Sequence, residues 1–73
     1  MTIGERIRKY RKEKGWTQSQ LAEEADLCTV YISSYETGRW LPSLLNIIAI
    51  ADALNVSLDE LVGRTYKDNE MKY

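Results

Sequence analysis

The stretch of residues 17–38 constrains the fold of this chain more than any other part, and its sequence is TQSQLAEEADLCTVYISSYETG. It begins with Thr17, and Gln20 follows three positions later, a pattern in which each side chain bonds the other's backbone N–H at the start of a helix. A second helix is predicted over Thr29–Thr37, and Gly38 ends it because glycine accepts the left-handed conformation that closes a helix. The stretch therefore predicts two short helices joined by a tight turn.

The second of these helices is predicted to present small side chains outward. Ile32 and Tyr35 share the inward face, and Leu27 packs onto Ile32 from outside the helix. The opposite face carries five residues: Thr29, Val30, Ser33, Ser34 and Thr37. Cys28 falls at the cap position, where a thiol accepts hydrogen bonds poorly, and we expect it to be semi-buried and unreactive. Two helices in this arrangement form a helix-turn-helix, whose second helix enters the DNA major groove.

Local signals predict three further helices and an all-α fold. Capping boxes begin the first, second and fifth helices, and their residue pairs are Thr2 with Glu5, Thr17 with Gln20, and Ser57 with Glu60. The fourth helix follows Pro42, has Ser43 as its cap and continues to about Leu54. Gly15 and Gly63 supply left-handed ends. The sequence thus predicts a helical domain over residues 1–63 and a polar tail over residues 64–73.

Composition excludes several classes of function. The chain has 73 residues, no histidine and one cysteine, so neither a zinc site nor a Ser-His or Cys-His nucleophile can be assembled. We therefore expect no enzymatic activity and no cofactor. The single cysteine fits a reducing cytoplasm. The longest apolar run, residues 47–51, is far too short to span a membrane. A charged segment followed by an uninterrupted apolar stretch is missing at the N-terminus, so we expect no secretory signal.

The distribution of charge is more informative than the net charge of −1, which is unusual for a nucleic-acid binder. Residues 1–20 carry six cations and two anions, whereas residues 21–36 carry four anions and no cation. Two interpretations stay open. A basic face exists on an acidic protein, or the first helix is simply a solvated charged helix.

Three segments of the chain resemble a known family. They are IGERIRKYRKEKGWTQSQLAEEA, YISSYETGR and PSLLNIIAIADALNVSLDELVG, which together lie within residues 3–63. These segments are similar to the Cro/repressor-type helix-turn-helix family, also called the xenobiotic response element family. The resemblance implies a five-helix, lambda-repressor-like DNA-binding domain with the helix-turn-helix at helices 2 and 3, and a transcriptional regulator that binds double-stranded DNA.

The resemblance also implies roles for individual residues. Thr17, Gln18, Ser33 and Arg39 would hold DNA phosphates, while Thr29, Val30 and Ser34 would approach base edges, with Thr37 on the same face. Arg11 and Glu36 would form a structural ion pair. In the plainer interpretation, Gln18 is an ordinary residue at the start of a helix, Thr29 and Ser33 are ordinary exposed polar side chains, and Arg39 is a common loop cation. Many family members carry Arg, Gln or Lys where this helix has Thr, Val and Ser, so we expect modest base readout with a contribution from DNA shape.

The fourth helix carries more apolar residues than one inward face needs. Five of them suffice for that face: Leu44, Ile47, Ile48, Ala51 and Leu54. Exposed apolar surface on a small domain indicates a contact with another molecule, and we predict a homodimer interface. Its predicted residues are Trp40, Leu41, Leu45, Ala49, Leu58 and Val62. The alternative is that Trp40 folds back onto its own core.

Two functions from different classes follow from these patterns. The leading hypothesis is a cytoplasmic, sequence-specific regulator of the phage-repressor, mobile-element or restriction–modification controller type, acting as a homodimer on inverted repeats. The alternative is a protein-interaction module, such as an antitoxin or adaptor, built on the same fold. No pattern in the sequence identifies an operator or a small-molecule effector.

Overall fold

Five α-helices make up the part of the chain that the structure, a computed structural model, describes, residues 1–63. Their bounds are α1 Ile3–Glu13, α2 Gln18–Ala25, α3 Thr29–Glu36, α4 Leu44–Leu54 and α5 Leu58–Val62. These residues contain no strand, and the all-α prediction is confirmed. The predicted polar tail lies outside the described residues, so the division of the chain at residue 63 stays a prediction.

The helices begin where the cap residues predict. At the start of α1, the Glu5 N–H donates to Thr2 Oγ1 at 3.1 Å and the Thr2 N–H donates to Glu5 Oε1 at 2.8 Å. The same reciprocal pair forms at α2 and at α5. Cys28 caps α3 without a side-chain hydrogen bond, as its thiol predicts. It is exposed, however, so the expectation that it is semi-buried was wrong.

The core lies where one face of each helix meets the others. Each helix contributes one fully buried side chain to it, and these are Ile7, Leu21, Ile32, Ile50 and Leu61. The inward stripe of α4 differs from the predicted one, because Ile50 belongs to it while Leu44 is 69% exposed and Ile48 is only half-buried. The observed stripe also contains Ile47, Ala51 and Leu54, and this spacing of three, four and seven positions is that of one helix face.

Two close contacts place α3 against its neighbours. Gly4 of α1 is buried against the backbone oxygen of Tyr35, so the two helices meet without an intervening side chain. The Asn46 side chain of α4 donates to the Tyr35 hydroxyl at 2.7 Å. Contacts with α1 on one side and with α4 on the other therefore fix the position of α3. Among the described helices, none combines the length and the apolar character needed to cross a membrane.

Candidate nucleic-acid interface

Both ends of α3 are hydrogen-bonded to the start of α2. At one end, the Thr29 hydroxyl donates to Ser19 Oγ at 3.5 Å. At the other, Gln18 Nε2 donates to Glu36 Oε1 at 3.1 Å. The third helix thus lies across the first turn of the second, where backbone N–H groups have no acceptor within the helix. This places a row of donors beside the helix predicted to read DNA.

The outward face of α3 is formed by small side chains. Thr29 and Thr37 are exposed, Ser33 is half-buried, and Val30 is 63% exposed. An apolar side chain exposed to that degree adds nothing to the core, and its branched methyl groups are suited to contact with a thymine methyl. Four of the five residues predicted for this face therefore lie on the accessible part of the helix.

Ser34 does not lie on that face, and its predicted approach to the bases was wrong. Only 7% of the residue is exposed. Beyond Gly38 the chain turns back over it, and the backbone N–H groups of Arg39 and Trp40 donate to the Ser34 carbonyl at 2.9 and 3.3 Å. The helical wheel places Ser34 at the edge of the outward face, but only the path of the following loop decides that this edge is covered.

The hydroxyl groups of Thr17 and Thr37 differ in what they can offer a phosphate. Thr17 Oγ1 accepts the Gln20 N–H in the cap of α2, which leaves its own O–H free to donate. The Thr37 hydroxyl donates to the Ser33 carbonyl at 3.0 Å and lies 3.2 Å from the Ser34 carbonyl. A phosphate needs donors, so Thr17 is equipped for such a contact and Thr37 is not.

An aromatic contact joins α3 to the loop that follows it, and it includes a residue of α3 that the sequence analysis missed. Tyr31 is 40% exposed, and its ring meets that of Trp40 edge-on with 6.2 Å between centroids. The Arg39 guanidinium carbon lies 5.9 Å from the Trp40 centroid, within the range of a cation–π interaction. Arg39 is exposed and pairs with no carboxylate among residues 1–63. Its charge is therefore available to an external anion.

The predicted ion pair between Arg11 and Glu36 is confirmed. Arg11 Nε donates to Glu36 Oε2 at 2.7 Å and Nη2 donates to Oε1 at 3.0 Å, while Nη1 donates to the Trp16 carbonyl at 2.7 Å. The two side chains are 10% and 3% exposed. The hydrogen bond to Glu36 raises the pKa of Arg11, against the opposing effect of burial. The bidentate geometry is the strong form of such a pair.

The residues predicted for a dimer contact divide into two groups. Trp40, Leu41, Leu45 and Leu58 are exposed, at 47%, 81%, 79% and 37%. Ala49 and Val62 are partly buried against their own core, so the prediction that Ala49 is a surplus, exposed residue was wrong, and the part of Val62 in a dimer contact stays a prediction. Trp40 packs on Tyr31 and stays half-exposed. Leu44, predicted to point inward, adds to the exposed apolar surface at the start of α4.

Comparison with known proteins gives the family. A family model described as Helix-turn-helix, HTH_3, matches residues 7–61. The chain belongs to the helix-turn-helix family HTH_3. This match, together with the similarity to two phage repressors, confirms the Cro/repressor-type family that the three sequence segments indicated.

Individual relatives of this helix-turn-helix protein are regulators. The CTXphi transcriptional repressor RstR of Vibrio cholerae is 40% identical over 72 residues, which are 99% of this chain and 64% of that protein. The P22 c2 repressor, solved in complex with a synthetic operator, is 34% identical with a TM-score of 0.80, over 85% of this chain and 94% of that one.

SinR of Bacillus subtilis is described as an HTH-type transcriptional regulator, and the structure of a SinR protein has been solved in complex with DNA. It is 41% identical with a TM-score of 0.79, over 82% of this chain and 97% of that one. The five-helix, lambda-repressor-like fold is confirmed by these structures. All three relatives are regulators rather than enzymes, in agreement with the sequence expectation. The chain spans less than two thirds of the length of RstR.

Proposed function

We propose that this protein is a sequence-specific regulator of transcription that binds double-stranded DNA in the cytoplasm, as a phage-type repressor or a related controller. The observation that carries the proposal is the position of α3 across the first turn of α2, with hydrogen bonds at both of its ends. A helix presented in this way enters the major groove while the start of the preceding helix meets the phosphate backbone. RstR and the P22 c2 repressor support the repressor type, since both are named as repressors.

Two sets of residues have distinct roles in this proposal. Thr17, Gln18 and Arg39 donate to phosphates, and the N-terminal end of α2 contributes its own partial positive charge. Thr29 and Val30 face the bases, where hydroxyl and methyl groups discriminate less sharply than the bidentate side chains of Arg or Gln, while Ser33 keeps its predicted contact with a phosphate. Sequence-dependent DNA shape therefore supplies part of the specificity.

We further propose that the protein acts as a homodimer on inverted repeats. One recognition helix covers a short half-site, and two half-sites about one helical turn apart, roughly 34 Å, require a two-fold symmetric dimer. Four exposed apolar residues lie at the end of the α3–α4 loop and the start of α4, and they are Trp40, Leu41, Leu44 and Leu45. With Leu58 of α5, they supply the self-complementary surface that such a dimer uses.

Binding to random-sequence duplexes at increasing salt tests the proposal. The logarithm of the binding constant should fall linearly with the logarithm of the salt concentration, because each phosphate contact releases counterions. Gln18→Ala and Arg39→Ala should weaken binding to all sequences alike and lower the salt slope by about one each. Thr29→Ala and Val30→Ala should instead change the preferred sequences. A wild-type protein that binds no duplex at low salt would contradict the proposal.

The exposed apolar residues around Trp40 favour a second candidate function, a protein-interaction module of the antitoxin or adaptor type. Such a module would hold its partner through apolar burial, so the interaction would change little with salt. A steep loss of DNA affinity with rising salt is the result that favours the regulator.

A further inference from the structure

The Gln18 side-chain amide is held by a buried carboxylate. Gln18 is the first residue of α2 and is half-buried. Its Nε2 donates to Glu36 Oε1 at 3.1 Å, and the Glu36 side chain is only 3% exposed. One of the two amide N–H groups of Gln18 is therefore engaged inside the protein before any DNA is bound.

The carboxylate that holds this amide is itself fixed. Glu36 Oε2 accepts from Arg11 Nε, and Oε1 accepts from both Arg11 Nη2 and Gln18 Nε2. Arg11 also donates to the carbonyl of Trp16, two residues before Gln18. The backbone leading into α2 and the side chain of its first residue are thus attached to the same guanidinium–carboxylate pair.

The chemistry of the two groups sets the orientation of the amide. A carboxylate only accepts hydrogen bonds, whereas an amide has two N–H donors on one side and an acceptor oxygen on the other. If the amide were turned over, its Oε1 would lie against an anionic oxygen. The nitrogen is therefore held toward Glu36, and its second N–H stays available to a further acceptor.

We infer that Glu36 is a positioning residue for DNA binding, which holds the Gln18 amide in the orientation that donates to a phosphate. This inference rests on the proposed function. It also accounts for an anion in the last turn of the recognition helix, since Arg11 neutralises the Glu36 charge and Gln18 lies between that charge and the phosphate. A phosphate oxygen of the DNA would then meet the N–H group of Gln18 instead of the carboxylate of Glu36.

A double-mutant cycle on DNA affinity tests the coupling. Gln18→Ala should weaken binding to a random-sequence duplex about tenfold, as expected for one hydrogen bond to a charged group. In the Glu36→Gln background, the same substitution should weaken binding by much less. The introduced amide can present either its oxygen or its NH2 group, so the Gln18 side chain is no longer held in a single orientation. Arg39→Ala is the matched control. It removes another proposed phosphate contact outside the network, so its effect should be equal in both backgrounds.

A measurement on the free wild-type protein covers the case in which Glu36→Gln does not fold. Gln20 lies two residues after Gln18, but its side-chain oxygen accepts the Thr17 N–H, which leaves its NH2 group without an acceptor among residues 1–63. By nuclear magnetic resonance, the side-chain NH2 protons of Gln18 should exchange with water several-fold more slowly than those of Gln20.

The outcomes separate the two proposals. Slower exchange at Gln18 together with non-additive affinities supports the positioning role. Equal exchange at the two glutamines overturns it, and so does an additive cycle in variants that are folded by circular dichroism. A wild-type protein that shows the slow exchange but binds no DNA overturns the proposed function, and the phosphate contact of Gln18 is withdrawn with it.

Discussion

At the scale of single residues, the stability of the domain depends on keeping both partners of the ion pair between Arg11 and Glu36. Its atoms are withdrawn from water, and every polar atom of the carboxylate has a partner. A buried ion pair of this kind stabilises the folded state little more than well-packed apolar residues in its place would. The loss of one partner, however, leaves the other charge buried and uncompensated. The pair is therefore expected to affect stability mainly when a substitution removes one of its two partners.

Glu36→Gln should lower the free energy of unfolding by about 3–5 kcal/mol, because the Arg11 charge is left in a nearly buried site. For a domain of this size, that approaches the whole stability. Thermal melts and urea titrations of the variant and the wild type measure the effect. Glu13→Gln is a matched control, since Glu13 is exposed at the end of α1. An unchanged midpoint in Glu36→Gln would show that the pair contributes nothing.

Gly4→Ala should destabilise the protein by about 3 kcal/mol, at the upper end for overpacking, because the added Cβ would collide with the backbone oxygen of Tyr35. Neither helix can move away without disturbing the core. Gly15→Ala provides the comparison. Gly15 has φ of +74° and open space around it, so alanine there meets only the left-handed conformational penalty of about 1 kcal/mol. Chemical denaturation should therefore rank Gly4→Ala as the more damaging change, and the reverse order would contradict the close helix crossing.

At the scale of elements, the three capping boxes differ in their response to acid. Hydrogen bonds from the backbone lower the pKa of Glu5 at the start of α1 and of Glu60 at the start of α5. A carboxyl whose pKa is lowered by folding adds stability above its unfolded pKa, and that stability is lost as the pH falls through the folded value. The box at α2 uses the uncharged Gln20 and has no such dependence.

The double variant Glu5→Gln, Glu60→Gln should lose less stability than the wild type as the pH is lowered from about 5 to about 3. Glutamine keeps the capping geometry, as Gln20 shows at α2, but does not titrate. Urea midpoints measured at several pH values give the comparison. Parallel losses in the two proteins would mean that these caps do not contribute to the acid sensitivity.

The sequence predicts best those features of the fold that depend on residues close together along the chain. The caps of α1, α2 and α5 need only residues three positions apart, and all were predicted. The inward face of α4 was predicted less well, because a helix as apolar as LLNIIAIADAL offers several possible stripes. The burial of Ser34 depends on the return of the loop that follows it. The bond from Gln18 to Glu36 joins residues 18 positions apart, and no local pattern indicates it.

At the scale of the whole molecule, the distribution of apolar surface predicts assembly. Leu45 is 79% exposed, so its replacement leaves the core intact. Leu45→Glu should give a folded monomer with greatly reduced affinity for an inverted repeat, because a buried carboxylate at a symmetric contact is strongly unfavourable. Sedimentation at micromolar concentration measures the assembly. Gln20→Glu adds the same charge on α2 and should sediment like the wild type, whereas a Leu45→Glu dimer would place the interface elsewhere.

The enclosure of the Arg11–Glu36 pair has a practical consequence for handling the protein. Dissolved ions screen charges that face water, but they reach a pair inside the protein far less. A column wash in about 1 M salt should therefore strip co-purifying nucleic acid from the resin-bound protein while the domain stays folded. The ratio of absorbance at 260 and 280 nm would report the first event, and an unaltered circular dichroism spectrum the second.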